Sequence, residues 1–241
     1  MRPPAAVPSP RFAVDAVAFD LDGTLIDTVH DLTSSVNELL RECGLPVLPL
    51  ARVRDLIGKG MANLVGRAVA LGRGSVPASG ELAALLARYQ AIYAARLGEG
   101  SVLYPGVVDG LARLRDAGLP LAVVTNKTSR FIAPHLAHAG IAHFFAVSIG
   151  GDDAAAKKPD PAPLRLAAER LGVAPARLLM VGDSGNDAQA ARAAGCPVVV
   201  VPYGYNEGQP VEALDVDAVV GSLAEVADLV LRARAPASRS A

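Results

Sequence analysis

Residues 20–24 read Asp-Leu-Asp-Gly-Thr and directly follow residues 14–19, a run rich in Val and Ala. Side chains two residues apart on an extended segment project to the same side, so Asp20 and Asp22 are predicted to face one site. Such a pair can hold a divalent cation, or divide the roles of nucleophile and general acid/base. A solvated acidic turn is the simpler alternative. A calcium loop is disfavoured because Leu25 stands where that loop requires glycine.

Four further short apolar runs alternate with longer stretches of helical apolar spacing. These candidate strands are residues 121–124, 144–149, 178–181 and 198–201. Strands that alternate with helices are typical of a parallel sheet covered by helices. Helices are predicted for residues 161–171, which Asp160 precedes and Gly172 follows, and for residues 187–194. The sequence therefore predicts an α/β fold with a Rossmann-like parallel sheet.

One interval breaks this alternation, because residues 27–101 contain helical patterns and no convincing strand. The predicted helices of this interval are residues 29–43, 49–57, 61–70 and 81–97. We interpret the interval as an inserted, all-helical cap domain at residues 28–101. The α/β core is then discontinuous, formed by residues 11–27 and 102–234, and the tails 1–10 and 235–241 are predicted to be disordered.

The composition of the 241-residue chain excludes several functional classes. The net charge is −1 and no block of basic residues stands out, so a nucleic-acid partner is not expected. No apolar run is long enough to span a bilayer, and the Pro-rich beginning lacks the apolar centre of a signal peptide. Cys43 and Cys196 lie far apart, which disfavours a disulfide framework and fits a reducing cytoplasm.

Two polar stretches follow predicted strands and carry groups that suit phosphate. Thr125, in Thr-Asn-Lys at residues 125–127, could donate a hydrogen bond to a phosphate oxygen, although a threonine at a strand end is often only structural. Lys157 and Lys158 precede a predicted helix, where one ammonium group could neutralise charge during phosphoryl transfer. A solvated lysine pair is the alternative.

A third stretch, Gly-Asp-Ser-Gly-Asn-Asp at residues 182–187, joins an apolar run to a helix. Asp183 or Asp187 could ligate a hard cation, although Asp187 could also simply favour the positive end of the helix dipole. Each stretch alone is a weak signal. Together with residues 20–24, all are predicted at the carboxyl ends of parallel strands, where open α/β sheets place ligands.

These four motifs, DLDGT, VVTNK, KKPD and GDSGND in that order, resemble the haloacid dehalogenase superfamily over nearly the whole chain. The resemblance implies a Mg²⁺-dependent phosphatase acting through an aspartyl-phosphate. Superfamily members that cleave carbon–halogen bonds lack the second aspartate, so Asp22 favours phosphate chemistry. The implied roles are Asp20 as nucleophile, Asp22 as acid/base, Thr125 as phosphate ligand, Lys158 as charge clamp, Asp183 with Asp20 and the Asp22 carbonyl as metal ligands, Asp187 at the edge of the metal site, and Gly23, Thr24 and Asn126 as substrate-binding residues.

Within the superfamily, the sequence is similar to bacterial phosphoglycolate phosphatases through residues 56–60 with Arg67, Gly-Gly-Asp-Asp before KKPD, and residues 203–206. The resemblance implies that the cap binds substrate, through the Gly-rich turn at 58–60 and a cation. The candidate cap residues are Gly58, Lys59, Gly60 and Arg67. The alternative is that the glycines only end one helix and begin another, while Arg67 is a surface residue.

Two other functions remain open at this point. A sugar-phosphate phosphatase or phosphomutase of the same fold would differ in its cap contacts, and a sensing module would bind a phosphorylated metabolite without turnover. Retention of both Asp20 and Asp22 argues against the sensing module, which needs neither a nucleophile nor an acid/base. We expect a cytoplasmic monomer or homodimer that acts on a small phosphorylated metabolite.

Overall fold

The structure, a computed structural model, describes residues 13–234 and contains a six-stranded parallel sheet. The strands are β1 Ala16–Phe19, β4 Leu121–Val124, β5 Phe145–Ile149, β6 Leu178–Gly182, β7 Val198–Val200 and β8 Ala218–Val219. Their order in the sheet is β5-β4-β1-β6-β7-β8. The predicted α/β class and five of these strands are confirmed. The predicted disordered tails lie outside the described residues.

Helices cover both faces of the sheet, as alternating apolar side chains on the strands require. On β1, Val17 and Phe19 pack into one apolar cluster while Ala16 and Ala18 pack into another on the opposite face. The helices of this part are α5 Val107–Asp116, α6 Ile132–His138, α7 Ala162–Leu171, α8 Gly185–Ala194 and α9 Leu223–Arg234. β1 is therefore a central strand buried on both faces, so the loop that follows it is held rigidly.

The ends of α7 and α8 follow the capping rules. The Asp160 carboxylate accepts a hydrogen bond from the Ala162 N–H at 2.8 Å, and Gly172 adopts the left-handed conformation that ends α7. In α8, Ser184 and Asp187 form a reciprocal capping box. The capping box of α8 fixes the position of Asp187 directly behind the loop that follows β6.

Four helices lie between two very short antiparallel strands, β2 Ile26–Asp27 and β3 Val102–Leu103. The helices are α1 Val29–Glu42, α2 Leu50–Arg54, α3 Met61–Arg73 and α4 Ser79–Arg96. They pack round a separate apolar cluster, in which Tyr89 and Tyr93 are fully buried and which Phe131 and Tyr205 of the core join. We propose that this segment is the predicted cap, joined to the sheet by the two chain crossings at β2 and β3. No helix within residues 13–234 combines the length and apolar character needed to cross a membrane.

Candidate active site

Polar loops follow three neighbouring strands at one edge of the sheet. Asp20 follows β1, Thr125 follows β4 and Asp183 follows β6. Because β4, β1 and β6 lie side by side and run parallel, their carboxyl ends open at the same edge. Open α/β sheets bind ligands at this edge.

Lys158 reaches this edge from the loop before α7, and its side chain is only 2% exposed. Lys158 Nζ lies 2.9 Å from Asp20 Oδ1 and 2.6 Å from Asp187 Oδ1. It also donates to the Val124 carbonyl oxygen at 2.6 Å. Burial alone would lower the pKa of Lys158, but the Asp187 and Asp20 carboxylates outweigh burial and raise that pKa. Lys158 is therefore a fixed positive charge beside Asp20.

Asp20, Asp183 and Asp187 form an acidic cluster in which one oxygen of each carboxylate lies within 4.8 Å of the others. Burial raises the pKa of Asp20 to about 6 in spite of the Lys158 ammonium group. Burial, Asp187 and Asp20 raise the pKa of Asp183 well above its ordinary value. Buried carboxylates that disfavour one another's charge are suited to binding a hard cation.

The Asp183 carboxylate is held by groups from two loops. Thr24 Oγ1 donates to Asp183 Oδ1 at 3.0 Å, and the Tyr205 N–H donates to Asp183 Oδ2 at 2.5 Å. A Cβ atom at Gly23 or Gly204 would lie 2.3 or 2.2 Å from Asp183 Oδ2, so only glycine allows this approach. Gly23 and Thr24 thus belong to the surroundings of the acidic cluster, and their contact with substrate stays a prediction.

Asp187 is the most constrained member of the acidic cluster. Its Oδ2 accepts hydrogen bonds from Ser184 Oγ at 2.8 Å, from the Ser184 N–H at 3.1 Å and from the Asp183 N–H at 3.3 Å. Its Oδ1 accepts from Lys158. The Asp187 carboxylate thus accepts four hydrogen bonds, against two for Asp183, and its place at the edge of a metal site stays a prediction.

Asp22 has a partner to which no role was assigned from the sequence. Lys127 Nζ lies 3.0 Å from Asp22 Oδ1 and 3.2 Å from Asp22 Oδ2, and it donates to the Tyr93 hydroxyl at 2.7 Å. Burial alone would raise the pKa of Asp22, but the Lys127 ammonium group, aided by His135, outweighs burial and lowers it. Asp22 is therefore ionised in this arrangement.

A cleft separates the sheet edge from the cap helices. Asp20 and Asp22 face it from the sheet, beside Thr125, the predicted phosphate ligand, and Asn126, a predicted substrate-binding residue. Asn126 Nδ2 donates to the Gly58 carbonyl oxygen at 2.9 Å and to the Lys158 carbonyl oxygen at 2.8 Å. The full lining comprises Asp20, Asp22, Leu32, Ile57, Gly58, Gly60, Met61, Leu64, Thr125, Asn126 and Lys127. Two of the four candidate cap residues, Gly58 and Gly60, thus lie on the cleft.

The other two candidate cap residues, Lys59 and Arg67, lie outside this lining. Lys59 Nζ pairs with Glu207 Oε2 at 2.7 Å, and Arg67 Nη1 pairs with Glu207 Oε1 at 2.8 Å. Glu207 lies in the loop after β7 and adopts φ 48°, a left-handed conformation that few residues other than glycine occupy. Lys59 and Arg67 therefore both form ion pairs between the cap and the core.

Substitution of Glu207 by glutamine is expected to loosen the cap. The change keeps the shape of the side chain but removes the charge that Lys59 and Arg67 share. Because partly exposed pairs are weak, we expect roughly a 2- to 5-fold increase in KM and faster amide exchange in α2 and α3. Glu212→Gln, in the same loop, is the control. Unchanged exchange in Glu207→Gln would show that the contact does not hold the cap.

Tyr205 is a further residue to which no role was assigned from the sequence. Its hydroxyl accepts hydrogen bonds from the Thr28 and Val29 N–H groups at 2.8 and 3.1 Å and donates to the Asp27 carboxylate. Tyr205 therefore connects the Asp183 loop to the point at which the chain enters α1. The only sequence signal for it was its place in the Tyr-Gly-Tyr-Asn stretch.

Comparisons with known proteins identify the family of the chain. A model of the haloacid dehalogenase-like hydrolase family matches residues 14–195. A curated phosphoglycolate phosphatase from Thiobacillus denitrificans is 44% identical over 220 residues, which cover 91% of this chain and 97% of that protein.

Two solved structures show the same architecture. A predicted phosphoglycolate phosphatase from Haemophilus somnus superposes with a TM-score of 0.86 at 34% identity, covering 90% of this chain and 98% of the other. A CbbY variant from Rhodobacter sphaeroides in complex with xylulose-(1,5)bisphosphate superposes with a TM-score of 0.74 at 28% identity, covering 88% and 96%. The chain belongs to the haloacid dehalogenase-like hydrolase family.

Proposed function

We propose that this protein is a Mg²⁺-dependent phosphoglycolate phosphatase, which hydrolyses 2-phosphoglycolate to glycolate and phosphate through a phosphorylated Asp20. The observation that carries the proposal is the environment of Asp20. Its carboxylate lies between the fixed charge of Lys158 and the buried acids Asp183 and Asp187, at the floor of a cleft. A cytoplasmic location and a monomeric or homodimeric state are parts of the same proposal.

The residues at the acidic cluster fit a small hard cation. Lys158 balances only part of the negative charge of Asp20, Asp183 and Asp187, and all three side chains are buried or nearly so. Asp20 and Asp183 would hold Mg²⁺, together with the Asp22 carbonyl, while Asp187 supports the site from its edge. When bound, Mg²⁺ supplies positive charge that offsets the repulsion between a carboxylate and a phosphate dianion.

The chain's own residues account for the remaining chemistry. An oxygen of Asp20 attacks phosphorus, while Lys158 stabilises the charge that develops and Thr125 binds a phosphate oxygen. Asp22 donates a proton to the leaving oxygen and then, as a base, activates the water that hydrolyses the aspartyl-phosphate. Asp22 is ionised while it contacts Lys127. It is therefore ready for the base step, and its acid step requires substrate to weaken that contact.

Phosphoglycolate is the substrate that the comparisons favour. The relatives from Thiobacillus denitrificans and Escherichia coli, at 44% and 42% identity, carry that activity in their names. The cleft also suits a small molecule, because the Asn126 side chain contacts both cap and core and narrows it.

A sugar-phosphate phosphatase or phosphomutase is the second candidate, favoured by the similarity to a CbbY variant that binds xylulose-(1,5)bisphosphate. A sensing module is the third candidate, and phosphate release with Mg²⁺ distinguishes it from both enzymes. The test is a comparison of kcat/KM for 2-phosphoglycolate, hexose phosphates and nucleoside monophosphates. We expect the highest value for 2-phosphoglycolate. A higher value for a hexose phosphate would overturn the proposed substrate, and no phosphate release at all would overturn the enzyme.

Metal binding is expected to stabilise the fold and to depend on pH. The folded-state pKa values of Asp20 and Asp183 lie above the ordinary 3.8, so protonation of these groups stabilises the metal-free fold at acidic pH. That contribution is lost as the pH rises through about 6 for Asp20. Because Mg²⁺ competes with these protons, saturating Mg²⁺ should raise Tm by about 5 °C near pH 8 and by less near pH 5.

Asp183→Asn is the control for this measurement, since it removes one carboxylate and should largely abolish the Mg²⁺-dependent rise in Tm. EDTA should stop turnover and Mg²⁺ should restore it. Excess Ca²⁺ should inhibit, because its larger and looser coordination misplaces the attacking oxygen. Full activity with Ca²⁺ would contradict the proposed use of Mg²⁺.

A further inference from the structure

Lys127 lines the cleft on the core side, and its ammonium group lies between Asp22 of the core and Tyr93 of the cap helix α4. The Lys127 side chain is only 1% exposed, yet Lys127 belongs to the cleft lining. Its partners are the two Asp22 oxygens and the Tyr93 hydroxyl. A buried ammonium group is costly unless it is paired, so a lysine at this position requires a compensating anion.

Three other cations near the cleft are already paired with carboxylates, while the exposed Lys157 approaches Gly60 but lies outside the lining. Lys158 is paired with Asp20 and Asp187, and Lys59 and Arg67 are both paired with Glu207. Within residues 13–234, Lys127 is the one lysine or arginine among the residues that line the cleft. Lys127 is therefore the lining residue that can offer positive charge to the part of a substrate beyond the phosphate.

The cap side of the lining offers no charge to an anion. It is formed by Leu32, Ile57, Met61 and Leu64 with the glycines at 58 and 60. A carboxylate placed against these apolar side chains alone would lose its hydration without compensation. Among the side chains of residues 13–234 that line the cleft, Lys127 is the one that offers such a group a positive charge.

Lys127 has the donors and the orientation for this contact. An ammonium group carries three N–H donors, of which the Tyr93 hydroxyl occupies one. The two contacts to Asp22, at 3.0 and 3.2 Å, go to one carboxylate, so an incoming anion can replace one of them while the other persists. Tyr93 belongs to α4, so a residue of the cap orients the lysine.

We propose that Lys127 is a specificity-determining residue that binds a second anionic group of the substrate, a carboxylate close to the phosphate ester. This inference rests on the proposed function, because it assigns the carboxylate of the proposed substrate to a particular side chain. It also assigns the cap helices a mainly apolar contact with substrate, in place of the charged contact predicted through Lys59 or Arg67.

The test compares two substrates that differ at one group. 2-Phosphoglycolate carries a carboxylate where ethyl phosphate carries a methyl group, so the ratio of their kcat/KM values measures recognition of the carboxylate. In Lys127→Met, which keeps the length of the side chain without its charge, we expect this ratio to fall by about 10- to 100-fold. Lys127→Arg should retain part of the ratio. If a variant is only partly folded, both kcat/KM values fall by the same factor, so their ratio does not change.

Lys59→Met is the matched control, since it removes the cap lysine that pairs with Glu207. It should change the ratio by less than about 3-fold. An unchanged ratio in Lys127→Met, or a collapse in Lys59→Met instead, overturns the inference. If Lys127→Met yields no active protein, Tyr93→Phe provides the test. Loss of the hydroxyl that orients Lys127 should lower the same ratio about 3-fold. An unchanged ratio in Tyr93→Phe would contradict the role of Lys127.

The wild-type enzyme separates failure of this inference from failure of the proposed function. Hydrolysis of neither substrate would contradict the phosphatase itself. Equal kcat/KM values for the two substrates would contradict phosphoglycolate as substrate. A wild-type preference that survives in Lys127→Met would contradict the role of Lys127 alone.

Discussion

Asp20→Asn is expected to lower kcat for 2-phosphoglycolate by at least about 10⁴-fold, because the amide keeps the shape of the side chain but removes the attacking anion. The fold should persist. Burial disfavours the charged form of Asp20, and Lys158 keeps its contacts with Asp187 and the Val124 carbonyl oxygen. Tm in the absence of metal should therefore stay within a few degrees of the wild-type value, because we expect the free energy of unfolding to change by no more than about 1 kcal/mol.

Asp15→Asn is the matched control. Asp15 immediately precedes β1, at the opposite end of the same strand, and pairs with Arg177 on the surface. The same chemical change there should leave kcat within about 2-fold of the wild-type value. Retention of more than about a hundredth of the activity in Asp20→Asn would contradict the nucleophile assignment.

Lys158→Met is expected to cost both activity and stability. The substitution leaves the buried carboxylates of Asp20 and Asp187 without their shared cation, which should destabilise the fold by about 3 kcal/mol. Turnover should fall by about 10³-fold because no other side chain replaces the charge beside the nucleophile. Urea unfolding in EDTA and phosphate release with Mg²⁺ measure the two effects separately.

Lys157→Met is the control for Lys158→Met, because it removes a lysine from the adjacent position. Lys157 is exposed, whereas Lys158 is buried. We expect a change in stability below about 0.5 kcal/mol for Lys157→Met. If Lys157→Met were the more damaging substitution, the choice between the two adjacent lysines would have to be reversed.

Burial on both faces made the main strands predictable. The runs at 121–124 and 178–181 are uniformly apolar because helices cover both sides of the sheet, and the observed strands match these runs closely. The strands β2, β3 and β8 have two residues each, which is too short for a periodic signal. Their positions depend on tertiary pairing and were missed.

The sheet topology predicted that the four motifs would lie close together. It did not predict which charged side chains form ion pairs with one another. Parallel strands place their carboxyl ends at one edge, so residues 20, 125 and 183 meet. Glu207 lies 140 residues from Arg67, and no local pattern identifies one as the partner of the other. The same holds for Lys127 and Asp22, which lie 105 residues apart and whose contact only the structure shows.

Phosphorylation of the Asp22→Asn variant by acetyl phosphate tests the assignment of Asp20 most directly. The acetate leaving group needs no proton, whereas hydrolysis of the aspartyl-phosphate needs the base that Asp22 provides. With Mg²⁺, about one phosphoryl group per protein should accumulate, and peptide mass spectrometry should locate it on Asp20. Accumulation on Asp183 or any other residue, or continued phosphate release without a phosphorylated protein, would contradict the account.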